Sequence, residues 1–380
     1  MNDVDRHSVI IGAGIAGLSA AIALDQKGIS VQVVESRDAE ASAGSAVVLW
    51  PNGTRILHNL GLKQQLADES TQLAGVRVHR MDGQLIGRTD LSSFGTRCGA
   101  PVVAIGRSQL KNVLTSALPP NTVCYATEAR NIRSLDDGIC VDLGEVISET
   151  ADFLVLASGA HCAIRDNHIA KAAVRNAGVG DWLGLAPLPL PSQNETWEFI
   201  GPGIRAGFIP LPSGATYFRF TCRHEDTVNH DQFDRLQSRF GGQCSILDEY
   251  LKILPPEAIH YVQEFDMAPL PHWSSGRVIA IGDCAHAMTP ALGQGANQSL
   301  VDAWTLSELF SGGDDTLRSL SLFEKRRMNL ANSIVRQSAE KTALFLESEK
   351  DLMDHWYDDM ERLDSPEALS QLFDICKTEA

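Results

Sequence analysis

No run of eighteen apolar residues occurs in this 380-residue chain, and its first residues show no basic flank ahead of an apolar core. The first absence predicts no membrane-spanning helix and the second no secretory leader. Positive charge is scarce: 32 Lys and Arg stand against 48 Asp and Glu, a formal net charge of −16. That balance argues against nucleic acid and against anionic membrane surfaces as partners. Residues 346–380 carry about half of the excess, with eleven acids to three bases, which reads as a solvated helical face. The eight cysteines contain no C-x-x-C pair, as expected of reduced thiols in a cytoplasmic protein. No His, Cys, Asp or Glu spacing suggests a metal site, and no repeat or low-complexity tract is present. What remains is the composition of a globular enzyme, long enough for one large or two ordinary domains.

Two ligand-binding patterns stand out. Residues 276–302 read GRVIAIGDCAHAMTPALGQGANQSLVD. Val278 to Ile281 form a short apolar run, a buried strand closed by Gly282. Asp283 follows at the strand's carboxyl end, where open α/β sheets hold their ligands. Pro290, Gly293, Gln294 and Gly295 then make a turn into a helical pattern that starts near Asn297. A carboxylate at a strand tip, a Gly-rich turn and a helix N-terminus suit a polyhydroxylated, partly anionic ligand. Residues 7–35 read HSVIIGAGIAGLSAAIALDQKGISVQVVE. Here an apolar strand leads into Gly12, Gly14 and Gly17 of G-x-G-x-x-G, then a helix-period run and a second strand that ends at Glu35. The glycines serve a tight turn, backbone approach to a pyrophosphate and close helix–sheet packing; Glu35 is placed to accept from an adenosine ribose. The pattern alone does not separate FAD from NAD.

Between the two patterns the character of the chain changes. The first seventy residues are βαβ-like, with a turn at residues 51–53 opening a helix that ends near Leu60. Residues 75–88 read as a hairpin about Met81, Asp82 and Gly83. Residues 107–118 read as a helix with Leu110, Val113, Leu114 and Leu118 on one face. Residues 131–149 alternate like hairpin strands, and residues 153–157 form another buried strand. From Gly178 to about Pro269, Pro-rich connections and aromatic-rich strands (residues 195–200, 206–209 and 217–222) predict a separate antiparallel sheet. The dinucleotide fold resumes at Arg277, so its domain is discontinuous. The last third is helical, with Trp356 and Tyr357 anchoring a final helix. Cys162 and Cys284 fall inside ligand motifs but read as small buried residues rather than redox groups.

The order of these motifs resembles the single-component flavoprotein monooxygenases of the p-hydroxybenzoate hydroxylase type, over essentially the whole chain. Gly282, Asp283, Ala285, His286, Pro290, Gly293, Gly295, Asn297, Asp302 and Ala303 match that family's later element position by position. The resemblance implies a Rossmann-like α/β FAD-binding domain with an inserted, mainly antiparallel β-sheet substrate domain and a helical C-terminus. It assigns residues 1–73, 97–170 and 272–350 to FAD, 74–96 and 171–271 to the substrate, and 351–380 to the terminal helical segment. It implies FAD contacts at Gly12, Gly14, Ala16, Gly17, Glu35, Arg37, Gly44, Arg107, Asp283, Pro290, Gly293, Gln294, Gly295, Ala296 and Asn297. The run LWPNG, residues 49–53, points to the smaller members, which act on aromatic or heteroaromatic rings. The implied reaction is insertion of one atom of O2 into such a ring through a C4a-hydroperoxyflavin, with NADPH or NADH as reductant, by a monomer or homodimer. An alkene epoxidase and a flavin reductase or dehydrogenase share the same motifs.

The resemblance leaves two places unsettled. The family's middle element reads D-G-x-x-S-x-x-R, whereas residues 158–165 read SGAHCAIR, with Ser158 for the Asp and Cys162 for the Ser. A hydroxyl is a weaker acceptor than a carboxylate, so either the backbone geometry survives the drift, or flavin reduction by NAD(P)H is slow or comes from elsewhere. No catalytic side chain is obligatory for oxygen transfer; the candidate substrate contacts are Arg205 and Tyr217, on strands that face the flavin in relatives. Arg205 either holds an anionic or carbonyl-bearing ring or makes a structural ion pair; Tyr217 either bonds a ring heteroatom or is a core aromatic. His286 reads as positional rather than as a proton shuttle. Purine and urate hydroxylases of the family tend to place an acid directly after the motif proline, where this chain has Ala291.

Overall fold

The computed structural model describes residues 6–38, 44–145, 147–188, 190–224, 232–310, 315–346, 357 and 370–378. Short Val, Ile and Leu runs become parallel strands because both of their faces are covered. Val9, Ile10, Phe153, Leu154, Val155, Leu156, Ile279 and Ala280 are completely buried. In space the sheet runs Ser274–Ser275, Val278–Ala280, Phe153–Leu156, His7–Ile11, Ser30–Val34, Val123–Cys124. Neighbours are parallel except for the edge pair Ser274–Ser275 with Val278–Ala280. The first strand, His7–Ile11, thus lies between Ser30–Val34 and Phe153–Leu156. That arrangement puts a topological switch point, the usual ligand crevice of an open α/β sheet, at its carboxyl end. The crossover helix Ile15–Asp25 is buried along residues 15–24, with the helix Gly295–Phe310 packed over it. Its Ala-rich sequence lets the two backbones approach closely.

A second sheet runs His260–Met267, Val174–Ala186, Thr216–Arg223, Ile204–Pro210, Glu195–Gly201, Gly75–Arg80, Leu85–Asp90. Its pairs are antiparallel except Glu195–Gly201 with Gly75–Arg80. The hairpin expected at residues 75–88 therefore extends a sheet whose other strands come a hundred residues later. One face of this sheet holds Trp182, Phe199, Phe208, Phe218 and Phe220 against the helices Gln232–Phe240 and Ser245–Ile253. Sequence periodicity gives the three aromatic-rich strands but misses Val174–Ala186, because Gly178, Gly180 and Gly184 interrupt its alternation and a bulge lies between Asn176 and Gly180.

Other differences are local. The expected turn at residues 51–53 is instead the first turn of the helix Pro51–Asn59, since Pro51 at the first helical position needs no N–H partner. The hairpin about residues 136–138 gains a third strand, Ile147–Ala151, beside Ile139–Leu143 and Ala129–Ser134. Trp356 lies outside the described residues. Tyr357 is buried, donates its hydroxyl to the Ile200 carbonyl at 2.9 Å, and has the Arg80 guanidinium 3.9 Å over its ring. The helix Ser370–Thr378 follows. No helix among the described residues is long and apolar enough to cross a membrane.

The parallel sheet is sealed by Phe153, which stacks on Phe310 with ring centroids 4.6 Å apart. Phe153→Ala leaves a ring-sized void in a completely buried position, so unfolding in denaturant should show a loss of about 3–5 kcal/mol. A loss under about 1 kcal/mol would mean that this core collapses around the void.

Candidate functional site

A cleft of about 1170 Å³ opens along the carboxyl ends of the parallel strands and reaches the second sheet. It exceeds the range of roughly 300–1,000 Å³ that suffices for one small ligand. Gly12, Gly14, Ala16, Glu35, Arg37, Arg107, Asp283, Pro290, Gly293, Gly295 and Ala296 line it. Candidates from opposite ends of the sequence therefore share one wall. Ser158, His161 and Cys162 of the middle element line it as well, and so do Tyr217 and Arg219 of the second sheet.

The glycine loop divides its work as the sequence suggests. A Cβ on Gly17 would lie 1.9 Å from the Gly12 carbonyl oxygen, so this position is fixed by packing. A Cβ on Gly14 would meet nothing within 4 Å, because Gly14 faces the cleft. No side chain caps the helix that Gly14 opens, which leaves its first N–H groups for an anion. Glu35 accepts from the Ala13 N–H and the Arg37 N–H, both at 2.9 Å, and so fixes the loop against the second strand. No hydrogen bond or ion pair among the described residues engages the side chain of Arg37, Arg107 or Asp283.

The later element is held from behind. Asp302, completely buried, accepts from the Gly282 N–H at 2.8 Å and the Arg327 Nε at 2.8 Å, and pairs with His286 Nε2 at 2.6 Å. Burial alone would raise its carboxyl; the His286 and Arg327 partners outweigh this and hold it at about 2. His286 thus belongs to a buried network under Trp273 and does not line the cleft. Gln294 and Asn297 also face inward. Gln294 accepts from Asn52 Nδ2 at 3.0 Å. Asn297 accepts from the Trp50 N–H and donates to the Val48 and Gly293 carbonyls. These bonds explain LWPNG: it docks the Gly-rich turn, and a Cβ on Gly53 would lie 2.2 Å from Asn297 Oδ1. Neither Gln294, Asn297, Gly17 nor Gly44 lines the cleft; Gly44 lies against Leu185.

In the middle element, the Cys162 sulfur accepts from the Arg165 N–H at 3.3 Å and caps the helix Ala163–His168, the role a serine oxygen can fill. A hydrogen bond from the Cys284 thiol lowers the Cys162 thiol, against the effect of burial, to about 6. Arg165, also buried, donates to the Cys284 carbonyl at 2.9 Å and so ties this element to the later one.

At the far end, Arg205 pairs with Glu198 at 2.8 Å, stacks over Phe345 at 4.2 Å and does not line the cleft. Of the two readings left open, the ion pair is the one the structure contains. Tyr217 does line the cleft; burial pushes its hydroxyl up to about 12, so it is a neutral donor. Sequence reasoning overlooked Arg219, although it lies two residues beyond Tyr217 and so on the same strand face. It also overlooked Asp181 and Glu264, whose neighbourhood depends on strand pairing.

The family model described as an FAD binding domain matches residues 5–338. The chain is 32% identical over 345 residues to the 3-amino-4-hydroxybenzoate 2-monooxygenase PtmB3 of Streptomyces platensis, covering 87% of this chain and 86% of that one. It is 28% identical over 333 residues to the aurachin C monooxygenase/isomerase of Stigmatella aurantiaca, covering 87% of each. Klebsiella pneumoniae HpxO, solved with FAD and uric acid, shares the fold at a TM-score of 0.93 and 24% identity, over 99% of this chain and 97% of that one.

Asp302 makes the site's scaffold sensitive to acid. Its folded pKa of about 2 lies below the unfolded carboxylate value of about 3.9. The resulting stabilisation, about 2 kcal/mol, is complete above that unfolded value and lost as pH falls through the folded one. Urea midpoints measured from pH 7 to pH 2 should show this loss between about pH 4 and 2. Asp302→Asn should remove this component and cost about 3–5 kcal/mol at pH 7 by leaving Arg327 uncompensated. An unchanged acid limb in the variant would refute the assignment.

Proposed function

This chain belongs to the single-component FAD-dependent aromatic hydroxylases, and on that premise we propose that it is a monooxygenase acting on an aromatic or heteroaromatic small molecule. The observation that carries the reading is the meeting, in one cleft, of the Gly12 loop and the Asp283 turn, with the side chains of Arg37, Arg107 and Asp283 unpaired along it among the described residues. FAD fits these residues on physical grounds. The open space at Gly14 and the uncapped helix behind it suit a pyrophosphate. Glu35 lies within the same wall, placed for ribose hydroxyls, and Asp283, without a side-chain partner among the described residues, is an acceptor for a polyol chain. Backbone N–H groups at the start of the helix Gly295–Phe310 suit the electron-rich edge of the flavin ring.

When bound, FAD supplies the activation of O2 at the flavin C4a carbon, with NADPH or NADH as electron donor. The residues of this chain bind and orient. In this reading residues 1–73, 97–170 and 272–350 hold the cofactor, while 74–96 and 171–271 present the ring. Tyr217 donates to a ring heteroatom or hydroxyl and, with its raised pKa, is not the base. Ile209, Met288 and the surrounding walls exclude water from the reacting centre. The Cys162 cap keeps the middle element's helix start, which supports ordinary reduction by NAD(P)H despite Ser158.

Cofactor content, flavin reduction and oxygen labelling test the reading. The purified protein should be yellow, and Gly14→Val should fold with a wild-type circular dichroism spectrum yet retain less than about a tenth of the FAD, since the new side chain meets only the cleft. Retention of full FAD by this variant would remove the Gly12 loop from the site. Rapid mixing with NADPH or NADH should reduce the flavin, faster with a ring compound present, and turnover under 18O2 should place one labelled oxygen in the product. Release of hydrogen peroxide alone across phenolic acids, quinolones and purines would contradict a hydroxylase.

A further inference from the structure

We propose that Arg219 orients the ring, and that this site takes an uncharged ring bearing a hydrogen-bond acceptor, such as a lactam or amide carbonyl, in preference to a ring carboxylate. The inference rests on the hydroxylase reading and deepens it. Arg219 is the arginine of the second sheet that lines the cleft, on the strand Thr216–Arg223 beside Tyr217. It also lines a small chamber behind the wall, with Arg205, Glu264, Ala291 and Phe345. That chamber measures about 10 Å³, room for one water at most. A ring therefore stays on the cleft side, where it meets Arg219 and Tyr217 but not Arg205.

The guanidinium is held rigidly. Its Nη2 pairs with Asp181 Oδ2 at 2.8 Å and with Glu264 Oε1, and both carboxyls are buried. Asp181 is fixed in turn by the Thr221 hydroxyl at 2.6 Å. No hydrogen bond or ion pair among the described residues engages Nη1, so a directional donor remains on a residue that lines the cleft. The charge, in contrast, is already matched. Asp181 offsets the arginine. Burial pushes the Glu264 carboxyl up, against the pull of Arg219, and the Asp181 charge beside it adds to the rise. Arg205 is likewise offset by Glu198, and the position after Pro290 is the uncharged Ala291. A further cation, Lys341, interacts with Arg205 and Glu198 but lines neither cavity. A carboxylate entering here would lose its water without meeting an unbalanced positive charge. A neutral carbonyl needs only the donors of Arg219 and Tyr217.

The test is titration of the FAD-loaded enzyme, followed by the flavin absorbance change, with matched probes: 4-hydroxybenzamide against 4-hydroxybenzoate, and quinolin-4-one against quinoline-4-carboxylate. The uncharged member of each pair should bind at least tenfold more tightly. Asp181→Asn combined with Glu264→Gln, which removes both carboxylates paired with the arginine, should shift the ratio at least tenfold towards the carboxylates, and Arg219→Gln should weaken the uncharged probes at least tenfold. Tighter carboxylate binding by the wild-type enzyme, or no binding of either uncharged ring, overturns the inference even where the variants fold poorly. An unchanged ratio in a folded enzyme carrying both Asp181→Asn and Glu264→Gln overturns it too. A protein that holds no FAD fails the hydroxylase reading instead, and FAD content is read before any probe is added.

Discussion

Asp302 is the constraint on which the site depends. One carboxylate, fully buried, joins the Gly282 backbone at a strand tip, the His286 ring and the Arg327 side chain of the long helix Thr316–Phe345. Without a charge there, Arg327 would be an isolated buried cation, which interiors do not tolerate. With it, the short helix Asp283–His286 and the turn that follows are pinned from behind while their front faces the cleft. Thr289 continues the anchoring, accepting from Thr342 Oγ1 at 2.7 Å and, through its carbonyl, from Ser338 Oγ at 2.6 Å. Of this network His286, Asp302 and Arg327 lie behind the cleft wall, and Thr289 reaches it. This leaves Asp283 as the acid of the later element that lines the cavity.

The second requirement is close approach between backbones. Gly282 has φ +58°, and a Cβ there would lie 2.7 Å from that of Ala16. The later motif therefore touches the crossover helix of the first, and the two ligand elements meet because no side chain separates them. Arg165 binds the Cys284 carbonyl and adds the middle element to the same junction. Pieces of chain from residues 12, 158 and 283 thus form one rigid rim, and the ligand groups they offer are largely backbone N–H groups and helix starts. Such a rim tolerates Ser158 and Cys162 because the sulfur keeps the helix cap that fixes the backbone.

Much of this was legible in the sequence, and the reasons differ by element. Buried parallel strands announce themselves as short apolar runs, and a glycine loop followed by a helix and an acid carries its geometry in its spacing. Those signals are local. The strand Val174–Ala186 was missed because its glycines erase the alternation that marks a strand. The inward turn of Gln294 and Asn297 was illegible because their partners, Asn52, Trp50 and Val48, lie some 240–250 residues away. The same limit applied to Arg205 and Arg219. Both occupy alternating strands of the right sheet, and only the pairing of Glu198 with one and of Asp181 and Glu264 with the other distinguishes them.

Those pairings give the cleft two unlike ends. Along the parallel sheet, Arg37, Arg107 and Asp283 lack partners among the described residues, as suits a ligand that brings both phosphate charge and hydroxyl groups. At the second sheet Arg205 is paired with Glu198 and Arg219 with Asp181 and Glu264, so a donor facing inward there acts through direction rather than net charge. A fixed donor with its charge offset discriminates by geometry, because a misplaced acceptor gains nothing from long-range attraction. A free charge would instead draw any anion, including the phosphates of a cofactor entering the wrong way round. On the proposed reading, charge compensation at the second sheet also helps to set which end of a long, partly anionic ligand goes where.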